Sequence, residues 1–136
     1  MNKVSGRIAS LEVCGSIALV DVRVGENTYT ATVLGEADVV SAWQVGAPVT
    51  LLFKETEVAV AKNLSGAISL RNRFKGVVTA LEQGQVLSKV IFDVDGLTIA
   101  SIITTRSAAQ LQLALGDEIE GLVKANEMTI VPDETT

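Results

Sequence analysis

Histidine is absent from the 136-residue chain, and cysteine occurs once, at Cys14. Losing histidine removes the commonest general base and metal ligand near neutral pH. No acid–base pair, metal-ligand cluster or activated nucleophile stands out in what remains, so neither catalysis nor a resident metal cation is expected. A single cysteine excludes an internal disulfide. Cys14 has no neighbour that would activate it and reads as a small buried hydrophobe. No apolar run approaches the ~20 residues that span a bilayer; Ile17–Val20 is typical. The first residues, Met1-Asn2-Lys3-Val4-Ser5-Gly6-Arg7, lack a hydrophobic signal core, so a soluble cytoplasmic protein is expected. Basic residues are outnumbered by acidic ones, 11 against 16, for a formal net charge of −5. The densest basic group is Arg71, Arg73 and Lys75, so this chain alone is not expected to hold nucleic-acid phosphates.

Aromatics make up only 4% of the chain, while hydrophobic residues reach 48%. The core must therefore be Val, Ile, Leu and Ala, a composition suited to a pleated, half-buried surface. The sequence recurs with a shift of 70 positions and no gap. Asn2, Gly6, Leu11 and Glu12 fall on Asn72, Gly76, Leu81 and Glu82. Val20, Val24 and Thr28 fall on Val90, Val94 and Thr98, and Gly46, Leu52 and Lys54 fall on Gly116, Leu122 and Lys124. The chain is a tandem repeat, with domains at 1–62 and 69–132 joined by Asn63-Leu64-Ser65-Gly66-Ala67. A unit of ~60 residues buries only about 60% of its unfolded surface. The halves are thus expected to pack on each other, on a second chain, or both.

Alternation of apolar and polar residues predicts strands over Val4–Leu11, Ala18–Val24 and Thr28–Val33. A short helix fits Glu36–Trp43, and Val49–Phe53 and Glu57–Ala61 complete the first unit. The second repeats the order with Phe74–Leu81, Ser88–Val94 and Thr98–Ile103, a helix near Arg106–Leu113, then Glu118–Lys124 and Met128–Val131. Asp95-Gly96 marks a hairpin turn. The fold class expected is mainly β: two tandem OB-like five-stranded β-barrels, each with one short helix.

The two copies differ in a few polar positions. Ile103-Thr104-Thr105-Arg106-Ser107 leads into the second helix, where free backbone N–H groups and hydroxyls can receive an anion. The first copy has Leu34, Gly35, Glu36 and Ala37 in place of residues 104 to 107, so only the second is fitted as a receiver. Equally, Thr104 and Ser107 serve as plain helix caps. Ser69-Leu70-Arg71 places a hydroxyl and a guanidinium two residues apart, on one side of an extended segment, or else in a solvated linker. Lys124 ends an apolar strand, as Lys54 does in the first copy. Glu55 follows Lys54 and can neutralise it, whereas Ala125 leaves Lys124 free. A lysine at a strand end is also a common edge guard.

Together these segments resemble the molybdate-binding Mop domain of the TOBE group. Its opening Ser-Ala-Arg-Asn with a following Gly is matched by Ser69-Leu70-Arg71-Asn72 and Gly76. Its Glu-x-Gly is matched by Glu82-Gln83-Gly84, its Ile-Thr-x-x-Ser by Ile103 to Ser107, and its Lys-Ala by Lys124-Ala125. Leu70 and Leu87 depart from the usual alanine and asparagine. The resemblance implies non-catalytic binding of molybdate or tungstate at Ser69, Arg71, Thr104, Ser107, Lys124 and Ala125. It implies a homo-oligomer, dimer or trimer, whose sites lie between subunits. Ser69, Arg71 and Lys124 would come from one chain and Thr104 and Ser107 from the other, with the first repeat's site degenerate. The role implied is storage, homeostasis or sensing, by a free-standing tandem protein or the effector part of a regulator or transporter. The alternative is an oligomerisation module whose anion site has decayed.

Overall fold

Alternating burial builds the strands of the computed structural model, which describes residues 1–35 and 43–133. Along β2 (Ile17–Val24), Ala18, Val20 and Val22 are buried while their neighbours are not. Along β7 (Leu87–Val94) the buried set is Ser88, Val90, Phe92 and Val94. The protein is mainly β, as the alternation predicts, with two five-stranded OB-like half-barrels among the described residues. The remaining strands of the first repeat are β1 (Asn2–Cys14), β3 (Asn27–Leu34), β4 (Pro48–Phe53) and β5 (Ala59–Ala61). Those of the second are β6 (Asn72–Gln83), β8 (Leu97–Thr104), β9 (Glu118–Val123) and β10 (Thr129–Pro132), with helix α1 over Thr105–Gln110. The helix expected over Glu36–Trp43 lies, apart from Trp43, outside the described residues. Cys14 ends β1 and is exposed, contrary to the buried position expected, because β1 runs past its core-facing part into a hairpin tip.

The sheets do not follow the repeats. One has the order β10-β4-β1-β2-β3 and the other β5-β9-β6-β7-β8, so each repeat gives its last strand to the sheet of the other. The first compact unit holds Lys3–Phe53 and the chain from Lys124 onward, and the second holds Asn2 with Lys54–Val123. Backbone geometry explains the exchange. The hairpin β7–β8 turns on Asp95 and Gly96, both at positive φ (51° and 91°), the left-handed pair that folds a strand back on its neighbour. After β4 the chain instead stays extended at Lys54 (φ −73°, ψ 145°), makes a 3-10 turn over Glu55–Glu57 and leaves extended at Val58. Lys124, Ala125–Glu127 and Met128 repeat that path after β9. Neither segment contains a positive φ, so neither strand doubles back.

Each long first strand is bent by a bulge at the same place, between Ile8 and Ser10 in β1 and between Val78 and Ala80 in β6. In the second unit the bend lets β6 pair with β9 through Asn72–Val77 and with β7 through Val77–Gln83. The core of that unit is Phe74, Val78, Val90, Phe92, Ile99 and Ile119, closed by Val58 from the other repeat. The first unit is filled by Val4, Ile8, Val20, Tyr29, Leu51 and Phe53, closed by Met128 and Ile130. Among the described residues no helix is long and apolar enough to cross a membrane.

Candidate functional site

The segment at the end of β8 carries three hydroxyls in four residues, Thr104, Thr105 and Ser107. Thr104 is extended (φ −67°, ψ 147°) and caps α1, its Oγ1 accepting the Ser107 N–H at 3.1 Å. The same oxygen donates its proton to Ser107 Oγ at 2.7 Å. A hydroxyl has one proton, so Thr104 is fully committed and Ser107 keeps its own proton to donate outward. Capping by Thr104 therefore leaves Ser107 as the hydroxyl of the pair that can donate outward.

The helix contributes less than its sequence suggests. It has six residues and stops at Gln110, because Gln112 adopts positive φ (53°) and turns the chain. Two of its first amides are already satisfied: Thr105 N–H by Val86 O at 2.8 Å, and Ser107 N–H by Thr104. The expectation of several free N–H groups is corrected accordingly, and hydroxyls are the main donors left.

Sequence reasoning missed the residues that hold this segment. Thr105 Oγ1 donates to Gly84 O and is bonded to Ser88 Oγ, both at 2.8 Å. At the far end Lys62 Nζ reaches Leu111 O (3.2 Å), Gln112 O (3.0 Å) and Asp117 Oδ2 (3.0 Å). The Lys62 hydrogen bond, helped by the Ala114 N–H, holds the Asp117 carboxyl below its usual pKa. The signal for these residues was in the repeat comparison, where Ser88 and Thr105 stand opposite Ala18 and Gly35.

Ser69 and Arg71 lie in the exposed segment before β6, and Arg71 makes no ion pair among the described residues. Its neighbour Arg73 is the engaged arginine, bidentate to Glu120 at 2.6 and 2.9 Å. That contact raises the Arg73 pKa and lowers the Glu120 one. Lys124 and Ala125 follow Val123, the residue that pairs with Asn72, so Arg71 and Lys124 both continue from that end of the β6–β9 ladder. Lys54, expected to be neutralised by Glu55, is not. Glu55 Oε2 instead pairs with Lys89 Nζ at 3.3 Å, since the 3-10 turn carries the carboxylate away from its neighbour.

The second unit thus brings Thr104 and Ser107 together but keeps them away from Ser69 and Arg71. Arg71 precedes the first residue of β6, whereas Thr104 pairs with Leu87, just past its other end. Twelve residues of strand at a rise of ~3.3 Å cover roughly 36 Å before the bulge bends them. The two groups of one chain therefore lie toward opposite ends of β6.

The arrangement defines a class: a tandem β protein with swapped terminal strands and a hydroxyl pair presented on the second repeat. The TOBE domain family matches residues 68–130. Molybdenum-pterin-binding protein 2 of Clostridium pasteurianum is 35% identical over 66 residues, 48% of this chain and 97% of that protein. The molybdenum import ATP-binding protein ModC of Brucella abortus (strain 2308) is 35% identical over 78 residues. That match covers 57% of this chain but only 22% of ModC. Among solved structures, the cytoplasmic molybdate-binding protein ModG, with molybdate bound, has a TM-score of 0.91 at 26% identity, covering 97% of this chain and 96% of that one. The chain belongs to the Mop/TOBE family.

Proposed function

We propose that this protein binds molybdate or tungstate reversibly and without catalysis, in the storage, homeostasis or sensing of the ion in the cytoplasm. The observation that carries the reading is the match over nearly the whole chain to a structure holding molybdate. The Thr104–Ser107 pair supports it, because Thr104 orients Ser107 and leaves its proton to donate outward, and a tetrahedral dianion is well held by neutral donors with one or two cations nearby. Ser69, Arg71, Lys124 and Ala125 from one chain, with Thr104 and Ser107 from a second copy, form the site. The separation of the two groups along β6 favours this division and implies a homo-oligomer of two or three chains. Net charge does not oppose it, since distant charges are screened beyond ~10 Å.

Calorimetric titration of the purified chain with molybdate, tungstate, sulfate and phosphate tests the reading; no micromolar uptake of molybdate or tungstate would end it. Lys124→Ala should cost about 1.5–3 kcal/mol of binding, the range of a charge-assisted hydrogen bond. An equal loss from Lys54→Ala would contradict a degenerate first site. The second reading, an oligomerisation module with a decayed site, is favoured by exposed Ile17, Leu19 and Leu34 in the first unit. It predicts a melting temperature indifferent to molybdate, whereas a bound ligand raises it with the logarithm of concentration.

A further inference from the structure

A helix of six residues is too short to hold its own conformation in water. Something else must fix where Thr104 and Ser107 point. Thr105, the residue between β8 and the rest of the helix, makes three hydrogen bonds to the β6–β7 hairpin. Its N–H donates to Val86 O at 2.8 Å and its hydroxyl to Gly84 O at 2.8 Å. Because that hydroxyl proton is spent, the 2.8 Å contact with Ser88 must have Ser88 as the donor. Ser88 is buried, with 1% of its surface exposed, so its hydroxyl has one fixed use.

The first repeat is an internal control. Ala18, Gly35 and Cys14 stand where the second has Ser88, Thr105 and Gly84. Only the backbone bond survives there, from Gly35 N–H to Ser16 O at 2.9 Å. Both relay hydroxyls are missing in the copy that also has Leu34 in place of Thr104. Strand pairing does not need them, since β2 and β3 pair from Ile17–Leu34 to Val24–Asn27 as β7 and β8 do from Leu87–Thr104 to Val94–Leu97.

We infer that Ser88 and Thr105 are positioning residues of the oxyanion site: Ser88 donates to Thr105, Thr105 is clamped to Gly84, and the clamp aims the adjoining Thr104–Ser107 pair. This rests on the oxyanion reading above and extends it to residues that need not touch the ion.

The test is calorimetry with sodium molybdate on the full chain and five variants: Ser88→Ala, Thr105→Val, Thr105→Ser, Thr104→Val, and Ser88→Ala combined with Thr104→Val. Ser88→Ala and Thr105→Val should each bind about tenfold more weakly, the lower end of what lost supporting hydrogen bonds cost at a ligand site. Thr105→Ser keeps the hydroxyl and should bind nearly as the parent does. In the Thr104→Val background, Ser88→Ala should cost less than about twofold more, because a residue acting through another shows non-additivity. Amide exchange at Ser107 in ligand-free protein gives a second readout and should accelerate in Ser88→Ala. Parental affinity in Ser88→Ala, or the same loss in both backgrounds, overturns the inference. Should the parent take up no molybdate, the oxyanion reading falls by itself, and unchanged Ser107 exchange in Ser88→Ala then overturns the positioning role too.

Discussion

Replacing Ile130 by alanine should weaken the first unit, although Ile130 belongs to the second repeat. Ile130 is 8% exposed and pairs with Leu51 of β4, itself fully buried. Removing three carbons costs about 2.4 kcal/mol in transfer alone, at ~0.8 kcal/mol for each. A cavity adds to that, and Ile→Ala in cores spans about 2–5 kcal/mol. Because β10 is an edge strand that can settle inward, roughly 2–3 kcal/mol is expected. Native-state hydrogen exchange reads the effect directly. Amides of β4 and β1 should exchange on the order of 30- to 150-fold faster, at tenfold per 1.4 kcal/mol, while those of β6, β7 and β9 hold. Val58→Ala is the mirror experiment: it should cost about 1.6 kcal/mol for two carbons and loosen the second unit instead. If Ile130→Ala deprotects β6 and β9 while β4 is untouched, the strand exchange is wrong.

Other expectations follow from the same geometry. A fragment beginning at Ser69 has no first-repeat tail to fill the β5 position, so it should sediment as a pair of chains trading tails; a folded monomer would refute this. Gly121→Ala would push a methyl to 2.6 Å from Phe92 Cζ and 3.2 Å from Val58 Cγ1. It should cost about 1–3 kcal/mol by urea unfolding, and Phe92→Val should restore most of that, since the first repeat pairs Val22 with Leu51 at these positions. Glu120, held below its usual pKa first by the Arg73 hydrogen bond, binds protons more weakly folded than unfolded. Its contribution is therefore present above the unfolded value and fades as pH drops through the folded one. Glu120→Gln should flatten the fall of the urea midpoint below pH 4.5, the reference value for the carboxyl; identical slopes would count against the pair.

Periodicity located most strands well, because alternation reports which side of a strand meets the core. It extends β1 too little, since Val13 and Cys14 at the hairpin tip face solvent and break the pattern. It could not assign β5 and β10 to their sheets, for alternation is blind to which neighbour supplies the edge; the informative signal was the absence of turn residues between Phe53 and Val58. The helix was drawn too long because Leu111 and Leu113 extend the apolar spacing past a left-handed Gln112. At the site, the repeat comparison singled out Thr104 and Ser107 but passed over Ser88, whose serine-for-alanine difference looks like ordinary drift until its hydroxyl is seen on Thr105.

Traded strands also leave a mark on how the two copies can diverge. Val58 was inherited with the first repeat, yet the space it fills is bounded by Phe92 and Gly121 of the second. Selection on the tail of either copy is therefore exerted by the body of its sibling. Mutations that fix together should be found crosswise between the halves, and a newly duplicated copy could not drift freely until its twin had changed to match.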